Sequence, residues 1–229
     1  MQDICAESLL SAPEFRSLAR RALLASAPQL AAEQGSKMGA AKPTPSDFDL
    51  NPELDTAAKA AEPLCPAAVL VPIVAREILT VLFTQRTDAM PRHAGQIAFP
   101  GGKMEPKDDG PLATALREAH EEIGLEPQFV EPLGFLDSYR TGTGYRIVPV
   151  VAIVREGFEL KLDPREVADA FEIPLAFLMD TRNHTTHTRT LAGAERRFYA
   201  MPFQERYIWG ATAGILKNMH ERLFPACSA

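Results

Sequence analysis

Residues 101–125 read GGKMEPKDDGPLATALREAHEEIGL, and this stretch decides how the rest of the chain is interpreted. On a helical wheel of about 100° per residue, its apolar side chains fall on one face, which includes Leu112, Leu116 and Ile123. Gly124 then supplies the residue type that most often ends a helix. The pattern therefore predicts a helix over 111–123 that buries one face against a core.

The opposite face of this predicted helix carries three carboxylates, Glu118, Glu121 and Glu122. Such a face is often merely solvated. However, like charges one helical turn apart repel each other, so a cluster of this kind favours a bound cation. Oxygen ligands suit a hard ion such as Mg²⁺ or Mn²⁺, and the Gly101-Gly102 pair would let the backbone approach the same ion closely. The pattern predicts a divalent metal site on the helix.

The composition limits the classes of partner. The chain has 229 residues, of which 24 are Lys or Arg and 30 are Asp or Glu, so its net charge is −6. This balance gives no reason to expect binding to nucleic acid or to an anionic membrane. Cys5, Cys65 and Cys227 are far apart, which is typical of free thiols in a reducing compartment. With no signal peptide and no apolar run long enough to span a bilayer, we expect a cytoplasmic protein.

The chain divides into two parts by composition. Residues 1–66 form an N-terminal extension, with a helix predicted from about Pro13 to Ala27 and an Ala- and Pro-rich irregular segment after it. Residues 67–225 carry strand and helix patterns in alternation, including a hairpin over 67–86 and strands over 135–139 and 146–154. This order predicts an α/β (α+β) domain with a mixed β-sheet.

The glycine pair and the acidic helix together resemble the Nudix box, G-x5-E-x7-R-E-U-x-E-E-x-G-U, where U is aliphatic. The matching residues are Gly102, Arg117, Glu118, Glu121, Glu122, Gly124 and Leu125. Asp108 stands where the first Glu is expected, and eight residues instead of seven separate it from Arg117. The resemblance implies a Nudix fold, in which a mixed sheet is sandwiched between helices. It also implies metal-dependent hydrolysis of a nucleoside diphosphate that is linked to another moiety.

The resemblance also implies roles for individual residues. Glu118 and Glu122 would be metal ligands, Glu121 would be a third ligand or the base that activates water, and the Gly102 carbonyl would complete the metal shell. Arg117 would orient Glu121, so that the catalytic set is Glu121, Arg117 and Glu122. Some relatives take the base from a distant loop. Glu166 is the candidate for that role, although a solvated position near a strand end is its more ordinary interpretation.

The residues before the box, LFTQRTDAMPRHAGQIAFPGG over 82–102, resemble an additional motif of the coenzyme A diphosphatase branch. That motif is approximately L-L-T-x-R-S/A-x3-R-x3-G-x3-F-P-G-G. Pro91 stands at its second arginine, with Arg92 one position later. The resemblance implies cleavage of coenzyme A or an acyl derivative to 3′,5′-ADP and 4′-phosphopantetheine. The predicted substrate contacts are Arg86, Arg92, Gly95, Gln96, Phe99 and Gly101.

Two alternatives stay open at the level of sequence. A Nudix hydrolase could act on another nucleotide, such as ADP-ribose or a dinucleoside polyphosphate. A Nudix-like sensor could bind a nucleotide without cleaving it, although the complete set of Glu118, Glu121 and Glu122 argues against a protein that only binds. The expected partner is in each case a small nucleotide. The oligomeric state is open, and a homodimer is possible.

Overall fold

The computed structural model describes residues 10–28, 44–55, 64–88, 94–191 and 194–225. The helices in these residues are α1 (Ala12–Ala22), α2 (Gly110–Ile123), α3 (Leu175–Met179) and α4 (Ala211–Leu223). The strands are β1 (Cys65–Val74), β2 (Thr80–Arg86), β3 (Ile97–Ala98), β4 (Gly101–Lys103), β5 (Val130–Phe135), β6 (Tyr139–Arg140), β7 (Tyr145–Val154), β8 (Val167–Pro174), β9 (Thr185–Leu191), β10 (Ala194–Phe203) and β11 (Arg206–Trp209). None of these helices is long and apolar enough to cross a membrane.

The central sheet is mixed and splits along one side of β1. Strand β1 runs parallel to β7 along its whole length, from Cys65 opposite Tyr145 to Val74 opposite Val154. On its other side β1 pairs with β2 only at its end, in a short hairpin. The two strands then diverge, and the chain over 97–103 fills the wedge, since β3 pairs with β2 and β4 pairs with β1. The wedge brings the Gly101-Gly102 pair to the middle of the sheet.

Helices cover both faces of this sheet, so the predicted layered α+β fold is confirmed. The apolar side of α2 packs Ala115, Ala119 and Ile123 against one face. The other face is covered by α1 and α4, and its cluster includes Phe15 and Leu216. Helix α2 begins beside Pro111 and ends at Gly124, whose φ of 67° is the left-handed conformation that glycine adopts readily. The predicted bounds of this helix are confirmed.

A second, three-stranded sheet in the order β11-β10-β9 lies in the C-terminal half. Its strands are antiparallel, with Phe198 opposite His187 and Met201 opposite Ile208. Met201 and Ile208 are fully buried in the same cluster as α4, so one face of this sheet extends the main core. The opposite face of the sheet carries aromatic and basic side chains.

Two sequence-based predictions are wrong in their bounds. The predicted helix from Pro13 to Ala27 ends at Ala22, because Leu23 turns to an extended conformation and Leu24 pairs with Phe135 through two hydrogen bonds of 2.9 Å. The predicted strand over 135–139 is interrupted after Phe135. There the Asp137 carboxylate accepts hydrogen bonds from α4, which draws the chain out of the sheet.

Candidate active site

The Gly101-Gly102 pair lies where a side chain would not fit. A Cβ on Gly101 would stand 2.5 Å from the carbonyl oxygen of Ala68, which is on the neighbouring strand. A Cβ on Gly102 would stand 2.5 Å from the carboxyl group of Glu118. Strand pairing therefore excludes a side chain at the first position, whereas a side chain at the second would force the Glu118 carboxylate to move.

Glu122, one helical turn after Glu118, reaches the same Gly101-Gly102 segment, which we call the glycine turn. Its side chain is only 5% exposed, and one of its oxygens accepts a hydrogen bond of 3.2 Å from the Gly101 N–H. Burial raises the pKa of the Glu122 carboxyl to about 8. Glu118 and Glu122, which are four residues apart on α2, therefore converge on one short piece of backbone.

Arg117 of α2 connects several acidic side chains of the site through its guanidinium group. Its guanidinium donates to Asp108 through Nε and Nη2, at 3.0 Å each, and through Nη1 to Glu118 at 2.9 Å and Glu121 at 2.8 Å. The remaining hydrogen bond, from Nη2, goes to the Lys103 carbonyl. The two bonds from Arg117 to Asp108 keep the pKa of the Asp108 carboxyl well below its usual range. Asp108 thus meets Arg117 despite its displaced position in the motif.

Two residues from other elements flank the buried carboxylate. Arg86, at the end of β2, places Nη1 3.9 Å from a Glu122 oxygen. Glu166 immediately precedes β8, and its carbonyl accepts a hydrogen bond from Thr87. Burial is the main cause of the raised pKa values of Glu118 and Glu122, and the negative charge of Glu166 adds to both shifts. The structure therefore places the Glu166 side chain within electrostatic range of the two converging carboxylates.

Comparison with known proteins decides the family of this site. The NUDIX domain model matches residues 64–192. A Photorhabdus laumondii protein named "Uncharacterized Nudix hydrolase NudL" is 38% identical over 157 residues, which is 69% of this chain and 84% of that protein. A Yersinia pestis protein of the same name is 37% identical over 157 residues, which is 69% of this chain and 79% of that protein. The chain belongs to the Nudix family.

The chain also resembles a solved structure, the NUDIX domain of Shewanella oneidensis NrtR complexed with ADP ribose. The sequence identity is 20% and the TM-score is 0.46, and the match covers 76% of this chain and 98% of that one. As a member of the Nudix family, the protein is a hydrolase that acts on pyrophosphate bonds of nucleoside diphosphate derivatives. Nudix enzymes generally require divalent ions such as Mg²⁺ or Mn²⁺.

The carboxylates of this Nudix hydrolase fit such an ion in part. Glu118 and Glu122 offer carboxylate oxygens beside the Gly102 backbone. Oxygen is the ligand atom that hard divalent cations prefer. Within the described residues, however, no three acidic, His or Cys side chains are grouped around one metal position. Glu121, on the same helix, is half-exposed and bonded to Arg117. Glu121 would have to leave Arg117 to act as a third ligand.

The predicted substrate contacts of the Nudix hydrolase lie in three different environments. Arg86 and Gly101 border the carboxylates, as described above. Gly95 and Gln96 line a cavity of about 610 Å³ on the opposite face of β2. Phe99 is 3% exposed and stacks on Phe83 at 5.1 Å, so its ring belongs to the core and is not open to a nucleotide. Arg92 lies outside the described residues.

Strands β9 and β11 also contribute to this cavity, which no sequence motif indicates. Their lining residues are Arg189, Arg206, Tyr207 and Trp209. In the sequence these strands are short or rich in Thr, and none of the Nudix motifs extends to them. The alternation of Tyr207 and Trp209 with Ile208 is the one signal that could have indicated an aromatic surface.

Proposed function

We propose that this Nudix hydrolase cleaves the diphosphate of coenzyme A, or of an acyl derivative, to 3′,5′-ADP and 4′-phosphopantetheine. The observation that carries the proposal is the position of the described residues at the two ends of the segment 82–102, namely Arg86 and Gly101. This segment bears the motif that resembles the coenzyme A branch. It begins in β2 and ends at the glycine turn, so that Arg86 and Gly101 both lie against Glu122. Catalysis is assigned to residues 67–225, with residues 1–66 as an extension.

In this proposal, each charged residue at the glycine turn has a separate task. Glu118 and Glu122, with the Gly102 carbonyl, would hold Mg²⁺ or Mn²⁺. When bound, the ion supplies positive charge to the diphosphate oxygens in the transition state. Arg86, whose Nη1 lies 3.9 Å from a Glu122 oxygen, would bind a phosphate oxygen. Arg117 would fix the direction of Glu121 by the 2.8 Å hydrogen bond between them.

The proton of the attacking water needs an acceptor within hydrogen-bond reach. Glu121 and Glu166 are the two candidates. Glu121 is bonded to Arg117, whereas Glu166 acts electrostatically on both Glu118 and Glu122. Glu121→Gln and Glu166→Gln distinguish them, because loss of the base abolishes the rise of kcat with pH, whereas loss of a merely nearby charge leaves that rise in place.

A substrate panel tests the proposal as a whole. Coenzyme A, dephospho-coenzyme A, ADP-ribose and a dinucleoside polyphosphate are each incubated with the full-length protein and Mg²⁺ or Mn²⁺, and the phosphate products are identified. We expect the highest kcat/KM for coenzyme A or an acyl derivative. A higher value for ADP-ribose or the dinucleoside polyphosphate would contradict the coenzyme A assignment. Binding without cleavage of any substrate would indicate a sensor.

A further inference from the structure

The cavity on the far side of β2 has a lining unlike that of the glycine turn. It measures about 610 Å³ and joins the end of β2 and the start of β3 to the second sheet. Its polar and aromatic lining includes Gln85, Gln96, Arg189, Arg206, Tyr207 and Trp209. Gln85 and Arg86 are consecutive in β2, so their side chains point to opposite faces of the sheet. The cavity and the glycine turn are therefore separated by one strand end.

Two aromatic rings of the cavity are held in place by neighbours. The Tyr207 hydroxyl and the Nδ1 atom of His187 are 2.6 Å apart and share a hydrogen bond. The Trp209 ring packs on Phe198, with centroids 5.2 Å apart. Tyr207 is nevertheless 40% exposed, and among the large hydrophobic side chains of the described residues only Ile78 is exposed as well. Fixed aromatic rings that remain accessible are suited to stacking on a planar base.

The arginines of the cavity differ in what they already bind. Arg206 donates to Gln85 at 2.6 Å and to Asp169 at 2.5 Å, and it lies over the ring of Phe171, so its charge is compensated. Arg189 is exposed, and no described residue hydrogen bonds or pairs with its side chain. It is therefore the cation of the cavity that is available to a ligand.

The register of the second sheet adds a second positive charge. Arg189 stands directly opposite Arg196 in the pairing of β9 with β10. Like charges in such a pair are unfavourable unless an anion lies between them. The Nε atom of Arg196 is also buried without a hydrogen-bond partner in the described residues. Arg196 does not line the cavity and lies within electrostatic range of Asp47, whereas Glu205 lines the cavity, so an anion is best placed beside Arg189 and away from Glu205.

We propose that this cavity is the subsite for the purine nucleoside phosphate of the substrate, the part remote from the diphosphate that is cleaved. Tyr207 and Trp209 stack on the base. Arg189 binds the phosphate. This inference rests on the proposed function, because it assigns the nucleotide end of the substrate of the same hydrolase.

Trp209 allows a direct test, because it is the single tryptophan of the chain. The full-length protein is titrated in EDTA with adenosine, 3′,5′-ADP and 4′-phosphopantetheine while tryptophan fluorescence is followed. We expect saturable quenching by adenosine and tighter quenching by 3′,5′-ADP, but none by 4′-phosphopantetheine. Quenching by 4′-phosphopantetheine alone, or by no ligand at all, would overturn the assignment.

Substitutions separate the base from the phosphate. Arg189→Ala should weaken the binding of 3′,5′-ADP by about 10- to 100-fold, the range for a lost charge-assisted hydrogen bond. The binding of adenosine should not change. The control is Arg197→Ala. Arg197 is an exposed arginine of the same sheet, but its side chain points to the face opposite that of Arg189 and Arg196. Equal losses in Arg189→Ala and Arg197→Ala would refute the phosphate contact.

The ring at position 207 is tested in the same way. Tyr207→Ala should weaken both purine ligands by roughly tenfold, the order expected for one lost base stack. Tyr207→Phe keeps the ring and should restore most of the binding. Unchanged binding in Tyr207→Ala would refute the stacking role.

Hydrolysis assays keep this inference distinct from the proposed function. In saturating Mg²⁺, Arg189→Ala should raise KM for the nucleotide substrate with little change in kcat. Purine binding at Trp209 without hydrolysis of coenzyme A would contradict the proposed function but support the subsite. Hydrolysis of coenzyme A without any purine-dependent change in fluorescence would remove the subsite and leave the proposed function.

Discussion

Gly102 is the residue that allows the Glu118 carboxylate to lie against the backbone. A methyl group at this position would stand 2.5 Å from that carboxyl group, a distance that requires Glu118 to move. We therefore expect Gly102→Ala to reduce hydrolysis by about 100-fold or more, the order seen when a transition-state contact is removed. Steady-state kinetics in saturating Mg²⁺ will measure the loss.

Gly142→Ala provides a matched control for that substitution. A Cβ at Gly142 would meet its nearest atom at 3.6 Å, which is ordinary contact. Hydrolysis should therefore stay near the wild-type rate. A similar loss of activity in both variants, or full activity in Gly102→Ala, would show that the contact between Gly102 and Glu118 is not needed for the reaction.

Glu122 combines burial with an essential charge in the proposed site. In Glu122→Gln the new amide oxygen can still accept from the Gly101 N–H, and a neutral group is easier to bury than a carboxylate. We expect kcat to fall by about 100-fold or more, while the free energy of unfolding changes by less than about 1 kcal/mol. Near-wild-type turnover in saturating Mg²⁺ would contradict the role of Glu122 as a metal ligand. Urea unfolding of both proteins will show whether the fold is retained.

At the scale of single elements, α2 was predictable and its side-chain partners were only partly so. Pro111, Gly124 and the apolar spacing define the helix locally, so its bounds follow from the sequence. The convergence of Glu118 and Glu122 on the glycine turn also follows, since residues four apart share a face. The pairing of Glu121 with Arg117 at 2.8 Å follows as well, since these two residues are also four apart on the helix. The bond from Arg117 to the Lys103 carbonyl does not follow, because it depends on how the chain before α2 folds back onto the helix.

The second sheet was harder to predict for a different reason. Strand β9 consists largely of Thr with His187 and Arg189, and its apolar content is too low to indicate a strand with one buried face. It is stabilised by pairing with β10 over seven residue pairs, from Thr185 opposite Ala200 to Leu191 opposite Ala194. A strand whose main support is its partner has no local pattern, so the cavity beside it was not foreseen.

Helix α1 is an element of the extension that contributes to the main core. Phe15 and Ala19 are fully buried in the same cluster as Leu136 and Leu223. Phe15→Ala should therefore lower the free energy of unfolding by about 3–5 kcal/mol, the usual cost of removing a buried ring. Ser17→Ala, on the exposed side of the same helix, is the control and should change it by less than about 0.5 kcal/mol. Chemical denaturation measures both, and equal small effects would show that α1 is not part of the core.

At the scale of the whole molecule, the first and last described helices are joined by side-chain bonds from α4. Arg222 of this helix donates to the carbonyl of Ala22 at 3.3 Å and, through Nε, to the Asp137 carboxylate at 2.7 Å. These bonds connect the extension, the loop after β5 and the last helix. These bonds of Arg222 lie on the side of the sheet away from α2. Substitutions at the glycine turn should therefore not disturb them.

The same side of the molecule contains a pair of histidines that makes its stability depend on pH. The rings of His184 and His220 contact each other edge to face, with centroids 5.6 Å apart, and His220 is 2% exposed. Burial lowers the pKa of both residues below the ordinary value, and each is also near the positive charge of Lys217. The hydrogen bond between His184 and the Leu178 carbonyl opposes the shift for His184 only.

The sign of the pH effect follows from these lowered pKa values. Near and below pH 6.5, about the ordinary pKa of histidine, the unfolded chain binds protons that the folded protein does not, so the free energy of unfolding decreases as the pH falls. The stabilisation is complete above that pH and is lost as the pH falls through the lowered pKa values. We expect the thermal midpoint to fall between pH 7.5 and 5.5, and to fall less in His220→Gln, which removes one of the two groups. Both proteins share all carboxylates, so their difference isolates the histidine. An identical pH dependence in the two proteins would show that the ring of His220 does not control stability.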